Sequence, residues 1–348
     1  MLKFVLIFLS SLVLSLILTP VAKFLSHKFH ILDQPGHRKI HSKPIPLLGG
    51  IAIYLSFVGV LWLTGLEARV LWSIAGFGLF FILFGLLDDA GIKIRARYKI
   101  WSHLLASFLF IYASGIVFQF FRFDPINWVL TACFITFMTN SMNMLDGMDG
   151  LVTGVGFFGS TSLCVLALNN SQPGLALAAL ALAGACLGFL RYNFNPASIF
   201  LGEGGSTFIG FAMALISLRL ELYKLWDIAL VLNIPRLQFI SFVVPLIILG
   251  IPIFDTFYVF TNRYLHHIKF STPGKDHSHH RIHLMGLSQK ATVLALYCVQ
   301  IVLGAISLAM INADLQQFFS LLLIVAIFAL VAWAFLNKVE VYSPEANG

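Results

Sequence analysis

Two carboxylates, Asp146 and Asp149, stand three residues apart in Asn140-Ser-Met-Asn-Met-Leu-Asp-Gly-Met-Asp-Gly-Leu151, at the edge of intensely apolar sequence. An ionisable group at membrane depth costs about 2.5 to 3.5 kcal/mol on insertion scales, so it usually has a partner or a function. If the segment is helical, the spacing puts both carboxylates on one face. Asn140 and Asn143 share that spacing, and the glycines let a ligand approach the backbone closely. A plain turn or a Ca²⁺-type loop is the other use of such a string. Acidic residues recur at similar edges: Asp88 with Asp89, Glu203, Asp255 and Asp276. Adjacent carboxylates such as Asp88 and Asp89 repel each other at a helix end unless a cation joins them. Mg²⁺ suits them, because it takes hard oxygen ligands and is usually held by one or two carboxylates plus substrate phosphates. A purely structural Asp-Asp cap is the alternative.

Cationic and aromatic residues lie in neighbouring loops. The segment Asp33 to Gly50 supplies Arg38, Lys39, His41 and Lys43 within a frame of prolines and glycines, which suits a phosphate-bearing ligand. It would also serve as an anchor on anionic lipid headgroups. The segment Arg191 to Ser206 offers Asn193, Phe200 to stack on a base, and Glu203 to meet a metal. Phe194 and Phe200 fit an interfacial core equally well, and nothing here has Walker or dinucleotide spacing. A third segment carries His277, His279 and His280 beside Lys275 and Arg281. Histidines alone raise zinc, but no cysteine joins them. Hydrogen bonding to a phosphate or sugar is the better use of these imidazoles, and a solvated loop is the bland one.

These loops need elements to carry them. Hydrophobic residues make up 59% of the 348 and charged residues 11%. That balance excludes an ordinary soluble domain. The expected fold is all-α, a polytopic integral membrane protein forming a single domain over 1–348. About eleven apolar runs are long enough to span about 30 Å of hydrocarbon. They lie near 3–21, 47–66, 70–87, 101–121, 127–143, 151–169, 174–190, 205–219, 239–261, 291–311 and 317–337. The first reads as a retained span rather than a cleaved leader, because no small-x-small site follows it. With the N-terminus outside and the C-terminus cytoplasmic, most of the 22 Lys and Arg fall in inner loops, as the positive-inside rule favours. That orientation collects the acidic sites and all 11 histidines at one face. One-sided clustering favours an active site facing the cytosol. A transporter would place ionisable groups nearer mid-membrane, and only Asp255 approaches that. The four cysteines fall in predicted spans without CxxC spacing, which suits packing.

The order DQPGHRKIHSKPIPLLGG, LLDD, NSMNMLDGMDGL, YNFNPASIFLGEGGS, PIFDT and HSHH resembles the polyprenyl-phosphate N-acetylhexosamine-1-phosphate transferase family across most of the chain. The resemblance implies transfer of a sugar 1-phosphate from a UDP-sugar donor to undecaprenyl phosphate, with release of UMP and Mg²⁺ (Mn²⁺ as substitute) shielding the diphosphate. Carried over by position, Asp88 and Asp89 would handle the acceptor phosphate. Asp146 and Asp149 match the acids of the uridine-diphosphate site, and Asn140 and Asn143 accompany them. Asn193 and Phe200 match positions that hold and stack uracil, Lys43 lies near a loop lysine, and His277, His279 and His280 match an HxHH element at the diphosphate or sugar. Asp89, Asp149 and Glu203 are the implied metal ligands. Where the family usually has Gly-Asp-x-Gly-Ser, this chain has Gly202-Glu-Gly-Gly-Ser206, so its glutamate must retract or bind through water. PIPLLGG and HSHH look like the polysaccharide-initiating branch with an N-acetylhexosamine donor, GlcNAc first. Phospho-MurNAc-pentapeptide transfer is the alternative. The resemblance implies no nucleic-acid partner, membrane lipids as neighbours, and leaves a homodimer open.

Overall fold

The computed structural model describes residues 1–35, 43–234, 236–272 and 274–341. Arg38, Lys39 and His41 lie outside the described residues. The chain folds as α1 (Leu2–Lys28), the two-residue strands β1 (Leu32–Asp33) and β2 (Ile45–Pro46), α2 (Gly49–Leu61), α3 (Ala68–Asp89), α4 (Ala96–Ser114), α5 (Asp124–Leu145), α6 (Leu151–Asn169), α7 (Pro173–Asn193) and α8 (Gly202–Leu218). There follow the short helices α9 (Trp226–Val231), α10 (Leu237–Ser241) and α11 (Val243–Ile248), then α12 (Gly250–Leu265), α13 (Ser278–Leu284), α14 (Gln289–Met310) and α15 (Leu315–Leu336). β1 and β2 pair antiparallel and pin the loop between α1 and α2.

Every apolar run coincides with helix, but the helices are unequal as spans. Among the described residues six are long and apolar enough to cross a membrane, namely α1, α3, α6, α7, α14 and α15, and the bent pair α10–α11 with α12 raises this to seven. The others fall short for local reasons. With its 13 residues, α2 rises only about 20 Å. Arg97, Lys99 and His103 lie in the first turns of α4, and α5 carries a run of Thr and Asn. The run over 239–261, expected to be continuous, is broken by 80°. Pro252 lacks an N–H and its ring meets the carbonyl four residues back, at Ile248. The helix therefore ends there and restarts.

Polarity is arranged inside out. Along α1 the buried stripe is Ile7, Ser11, Ser15, Thr19, Ala22 and Ser26, whereas Leu6, Leu9, Val13, Ile17 and Phe24 are exposed. Small hydroxyl residues inside and large apolar ones outside suit a lipid surround, where close approach and hydrogen bonds replace the hydrophobic effect between helices. Ser11 and Ser15 donate to the carbonyls of Ala181 (2.6 Å) and Ala185 (2.8 Å) on α7. Pro20 of α1 frees the carbonyl of Leu16, and Tyr192 at the end of α7 donates to that oxygen at 3.1 Å.

The centre of the bundle is α8, buried along its length except at Glu203. Its glycines make this depth attainable. A Cβ on Gly85 of α3 would fall 2.7 Å from the Glu203 carbonyl carbon and nearer still to Gly204, and one on Gly210 would lie 2.5 Å from the Met138 carbonyl oxygen. By contrast α15 buries only Phe318 and Leu336, so its sides face the surroundings.

Candidate active site

Three helix ends meet around Asp88, Asp89 and Glu203. Asp88 and Asp89 close α3, Glu203 opens α8, and the Gly85–Gly204 contact draws the two ends together. Asp89 accepts the backbone N–H of Glu203 through both oxygens, at 3.2 and 3.0 Å. This satisfies a donor that the first turn of α8 leaves open. Gly202 makes the turn into α8 at φ +76°, a conformation that glycine adopts without steric cost. A Cβ there would lie 2.6 Å from Asp89 Oδ2. Asp88 Oδ1 accepts from Ile94 N (3.2 Å). Lys99 of α4 reaches between the acids, with Nζ 3.0 Å from Asp88 Oδ2 and 2.6 Å from Glu203 Oε2. Its role was missed in the sequence, where it reads as one of several positive-inside charges.

The Asp146/Asp149 pair does not sit on a helix face as the spacing suggested. Both fall in the tight connection between α5 and α6, where Gly147 N–H donates to the Leu145 carbonyl (2.8 Å) and Gly150 takes φ +78°. Asn140 and Asn143 lie on α5. Asn143 accepts from Ser206 of α8 (3.0 Å), whereas Asn140 donates to Thr136 O (2.7 Å) and meets His103 Nδ1 (3.2 Å). Asp149 Oδ2 accepts Asn195 Nδ2 and Ala197 N, both at 3.0 Å, and Asn195 also donates to Gln289 Oε1 (3.0 Å). Asn193 is turned inward, its amide engaged by Thr153 (2.8 Å) and the Ile199 carbonyl (3.0 Å). Asn195 is thus the amide of this loop that reaches an acidic residue. Phe200 N–H donates to Pro46 O (2.7 Å), which ties the loop to the segment carrying exposed Lys43.

The histidines form the opposite wall, on and just before α13. His277 Nδ1 lies 2.7 Å from Asp255 Oδ2, and Ser278 donates to Asp255 Oδ1 through its N–H (2.7 Å) and hydroxyl (2.6 Å). His279 is buried against the Asp146 turn, so that a Cβ on Gly147 would collide with it and lie 3.1 Å from His280 Nε2. Neither ring nitrogen of His279 has a partner among the described residues. Two buried arginines fix this wall, Arg263 unanticipated and Arg281 expected only as a neighbouring charge. Arg263 grips Asp276 through Nε (2.7 Å) and Nη2 (2.8 Å). Arg281 donates to the carbonyls of Leu336 (3.3 Å) and Val339 (2.6 Å), at the end of α15.

Electrostatics divide the histidines. Burial disfavours a charged imidazolium at His277, but the Asp255 carboxylate outweighs it and raises the pKa. Burial pushes His280 down to about 4 and His279 well below its ordinary value, helped at His280 by the charge of His277. Asp146 reaches solvent, yet desolvation by the atoms packed beside it, then the charges of Asp89 and Asp149, raise its pKa. His277 thus holds its proton to a higher pH than a free imidazole, while His279 and His280 are neutral rings beside it.

The donor set suits a hard divalent cation. Glu203 Oε1 is buried without a partner among the described residues. Such an atom is costly to leave unpaired, and an ion would satisfy it. Asp89 and Asp149 are the other acids expected to contribute. Among the described residues no three acidic, His or Cys side chains converge closely enough to chelate an ion unaided. A site completed by substrate phosphates is the usual arrangement for Mg²⁺.

Comparison with known proteins bears on this geometry. Residues 71–221 match the profile of glycosyl transferase family 4. The chain is 33% identical over 339 residues to the probable undecaprenyl-phosphate N-acetylglucosaminyl 1-phosphate transferase of Bacillus subtilis, covering 94% of this chain and 90% of that one. It is 27% identical to the decaprenyl-phosphate N-acetylglucosaminephosphotransferase of Mycolicibacterium smegmatis, over 83% of this chain and 77% of that one. A phospho-N-acetylmuramoyl-pentapeptide-transferase of Limosilactobacillus reuteri is 34% identical over a shorter stretch, 51% of this chain and 61% of that one.

Proposed function

Because the chain belongs to glycosyl transferase family 4, we propose that it transfers a sugar 1-phosphate, GlcNAc 1-phosphate first among candidates, from a UDP-sugar to undecaprenyl phosphate. The observation that carries the reading is the meeting of separate loops at one pole: the acids of α3 and α8, the Asp146 turn, the Asn195 loop and the α13 histidines. The extent of the match to the N-acetylglucosaminyl enzymes favours their donor over the pentapeptide one.

In the reaction a lipid phosphate oxygen attacks the β-phosphorus of the donor. The bond from that phosphorus to the bridging oxygen breaks, and UMP leaves with the electron pair. The lipid phosphate is already mostly ionised near neutral pH, so no residue has to take a proton from it. Catalysis then rests on positioning and charge neutralisation. Phe200 and Asn195 lie where the uridine would be held, and Lys43 is on the segment that Pro46 ties to that loop. His277, whose pKa the Asp255 carboxylate raises, faces the diphosphate. His279 and His280 are neutral and offer hydrogen bonds to phosphate or sugar oxygens. Asp88 and Asp89 border the acceptor phosphate. Glu203, Asp89 and Asp149 would hold Mg²⁺ only together with substrate phosphates, and the bound ion would supply neutralisation of the diphosphate charge.

The same reading assigns eleven spans, an outside N-terminus, a cytoplasmic C-terminus and residence in the bacterial inner membrane, with the short and polar helices spanning in the company of the longer ones. The test is UMP release by purified protein with undecaprenyl phosphate and Mg²⁺, comparing UDP-GlcNAc, UDP-GalNAc and UDP-MurNAc-pentapeptide. Turnover with an N-acetylhexosamine donor is expected. Turnover with the pentapeptide donor alone would overturn the donor assignment, and none with folded protein would overturn the activity.

A further inference from the structure

Six carboxylate oxygens meet where α3 and α8 abut, and their partners are unevenly shared. Asp88 has Ile94 N on one oxygen and Lys99 on the other, and Asp89 has the Glu203 N–H on both. Glu203 has Lys99 on Oε2 and, among the described residues, nothing on its buried Oε1. The side chains of Glu203 and Lys99 are 10% and 16% exposed. Water and salt therefore screen this cluster little. Lys99 supplies one positive charge against three acids, and one buried oxygen is left over. An unpaired buried carboxylate oxygen is costly, and the charge excess points to a cation stronger than an ammonium.

Chain length makes this arrangement specific to glutamate. From the first turn of α8 the extra methylene carries Oε2 across to α4, 2.6 Å from Nζ, while Oε1 stays on the inner side. An aspartate there would be about 1.5 Å shorter and would have to surrender one contact. A divalent cation on Oε1 would share a single carboxylate with the Lys99 ammonium, two positive charges held a few ångströms apart in a poorly screened place. Each therefore weakens the hold on the other.

We infer that Lys99 is the resident counter-ion of the divalent-cation site, paired with Glu203 until the cation arrives and displaced from it by that cation. Lys99 is in this sense a positioning residue. It holds Glu203 aimed before the ion enters, and it sets the ion's affinity by competing for the same carboxylate. Once released from Glu203, its ammonium remains beside Asp88, at the place where an incoming phosphate needs a counter-charge. The inference rests on the transferase reading. A merely structural salt bridge between α4 and α8 would instead affect thermal stability and leave cation affinity unmoved.

The test is Mn²⁺ binding to purified full-length protein, without ligand and with UMP present to supply a phosphate, read from the loss of the free-ion EPR signal. Lys99→Met and Lys99→Gln are expected to bind Mn²⁺ about tenfold more tightly than the parent chain or better, and Lys99→Arg to stay near it. Glu203→Gln is expected to lose most binding in both the parent and the Lys99→Met background. Unchanged or weaker affinity in folded Lys99→Met and Lys99→Gln protein overturns the inference, as does binding indifferent to Glu203. UMP release by the parent chain tests the transferase reading separately, so the two failures are distinguishable.

Discussion

His277 and Asp255, twenty-two positions apart, form a buried ion pair 2.7 Å long that joins the histidine wall to the first turns of α12. Asp255 is wholly buried and serves Ser278 as well, so its loss would leave three donors without an acceptor. Asp255→Asn is expected to destabilise the protein by about 3 kcal/mol. The raised pKa of His277 fixes the pH dependence. The pair's contribution is full below the ordinary imidazole value of about 6.5 and is lost as pH rises through the higher folded value. The gap in thermal midpoint between parent and variant should therefore be widest near pH 6 and narrow on the alkaline side. A gap that widens with pH would contradict the assignment.

His280 predicts the opposite slope. Its folded value is near 4, so the folded state resists the proton that the unfolded chain takes up below about pH 6.5. Its contribution is intact above that value and is lost as pH falls from 6.5 towards 4. His280→Asn should flatten the acid limb of a plot of midpoint against pH, leaving stability at pH 7.5 within about 1 kcal/mol of the parent.

Asp149 should divide stability from activity. Asp149→Asn keeps one acceptor oxygen for Ala197 N but removes the charge, so a fall in turnover of about a hundredfold or more is expected with a modest change in midpoint. Asp149→Ala strands Asn195 and Ala197 and should add about 1–3 kcal/mol of destabilisation. Paired UMP-release and thermal-unfolding measurements check both. An Asp149→Asn enzyme with near-normal turnover would remove this residue from the site.

At Gly147 the prediction is steric. A methyl group there meets His279, whose ring is confined by burial, so Gly147→Ala must displace either the turn or the histidine wall. Turnover should fall about tenfold or more, as a misplacement of about 1 Å in an active site costs. Gly76→Ala, where a Cβ meets nothing within 4 Å, is the matched control and should be neutral or slightly stabilising.

Tyr192→Phe tests a membrane-specific economy. The Tyr192 hydroxyl donates to the carbonyl of Leu16 that Pro20 leaves unpaired. Its removal should cost about 1–2 kcal/mol, and Pro20→Ala, which restores the helical donor, should recover most of that in the double variant. Additive losses in the cycle would show that the two positions are independent.

Much of this was legible in the residues. The carboxylate strings, the asparagines and the histidines stand at or near helix ends because those are where apolar runs stop, and each run but 239–261 is one helix. What escaped depended on distance in the chain. Lys99 and Glu203 are 104 positions apart, and nothing in Arg95-Ala-Arg-Tyr-Lys99 separates the one lysine that turns inward from the basic residues around it. Asn193 and Asn195 are alike in type, and only the path of the loop decides which faces Asp149. The break at Gly250 had a local signal in Gly-Ile-Pro252, outweighed by an unbroken hydropathy run. The helical expectation for Asp146 and Asp149 failed because a glycine follows each of them and the chain must turn from α5 into α6 there.

Where Gly85 rests on Gly204, main chain touches main chain with no side chain between. The separation of the acidic ends of α3 and α8 is therefore set by atomic radii, which thermal rotamer hopping cannot alter. Lipid-facing walls can drift in sequence to suit the length and saturation of the surrounding tails, while this backbone bearing keeps the carboxylates in gauge. Tolerance on the outside and intolerance at one glycine pair are thus two aspects of the same construction.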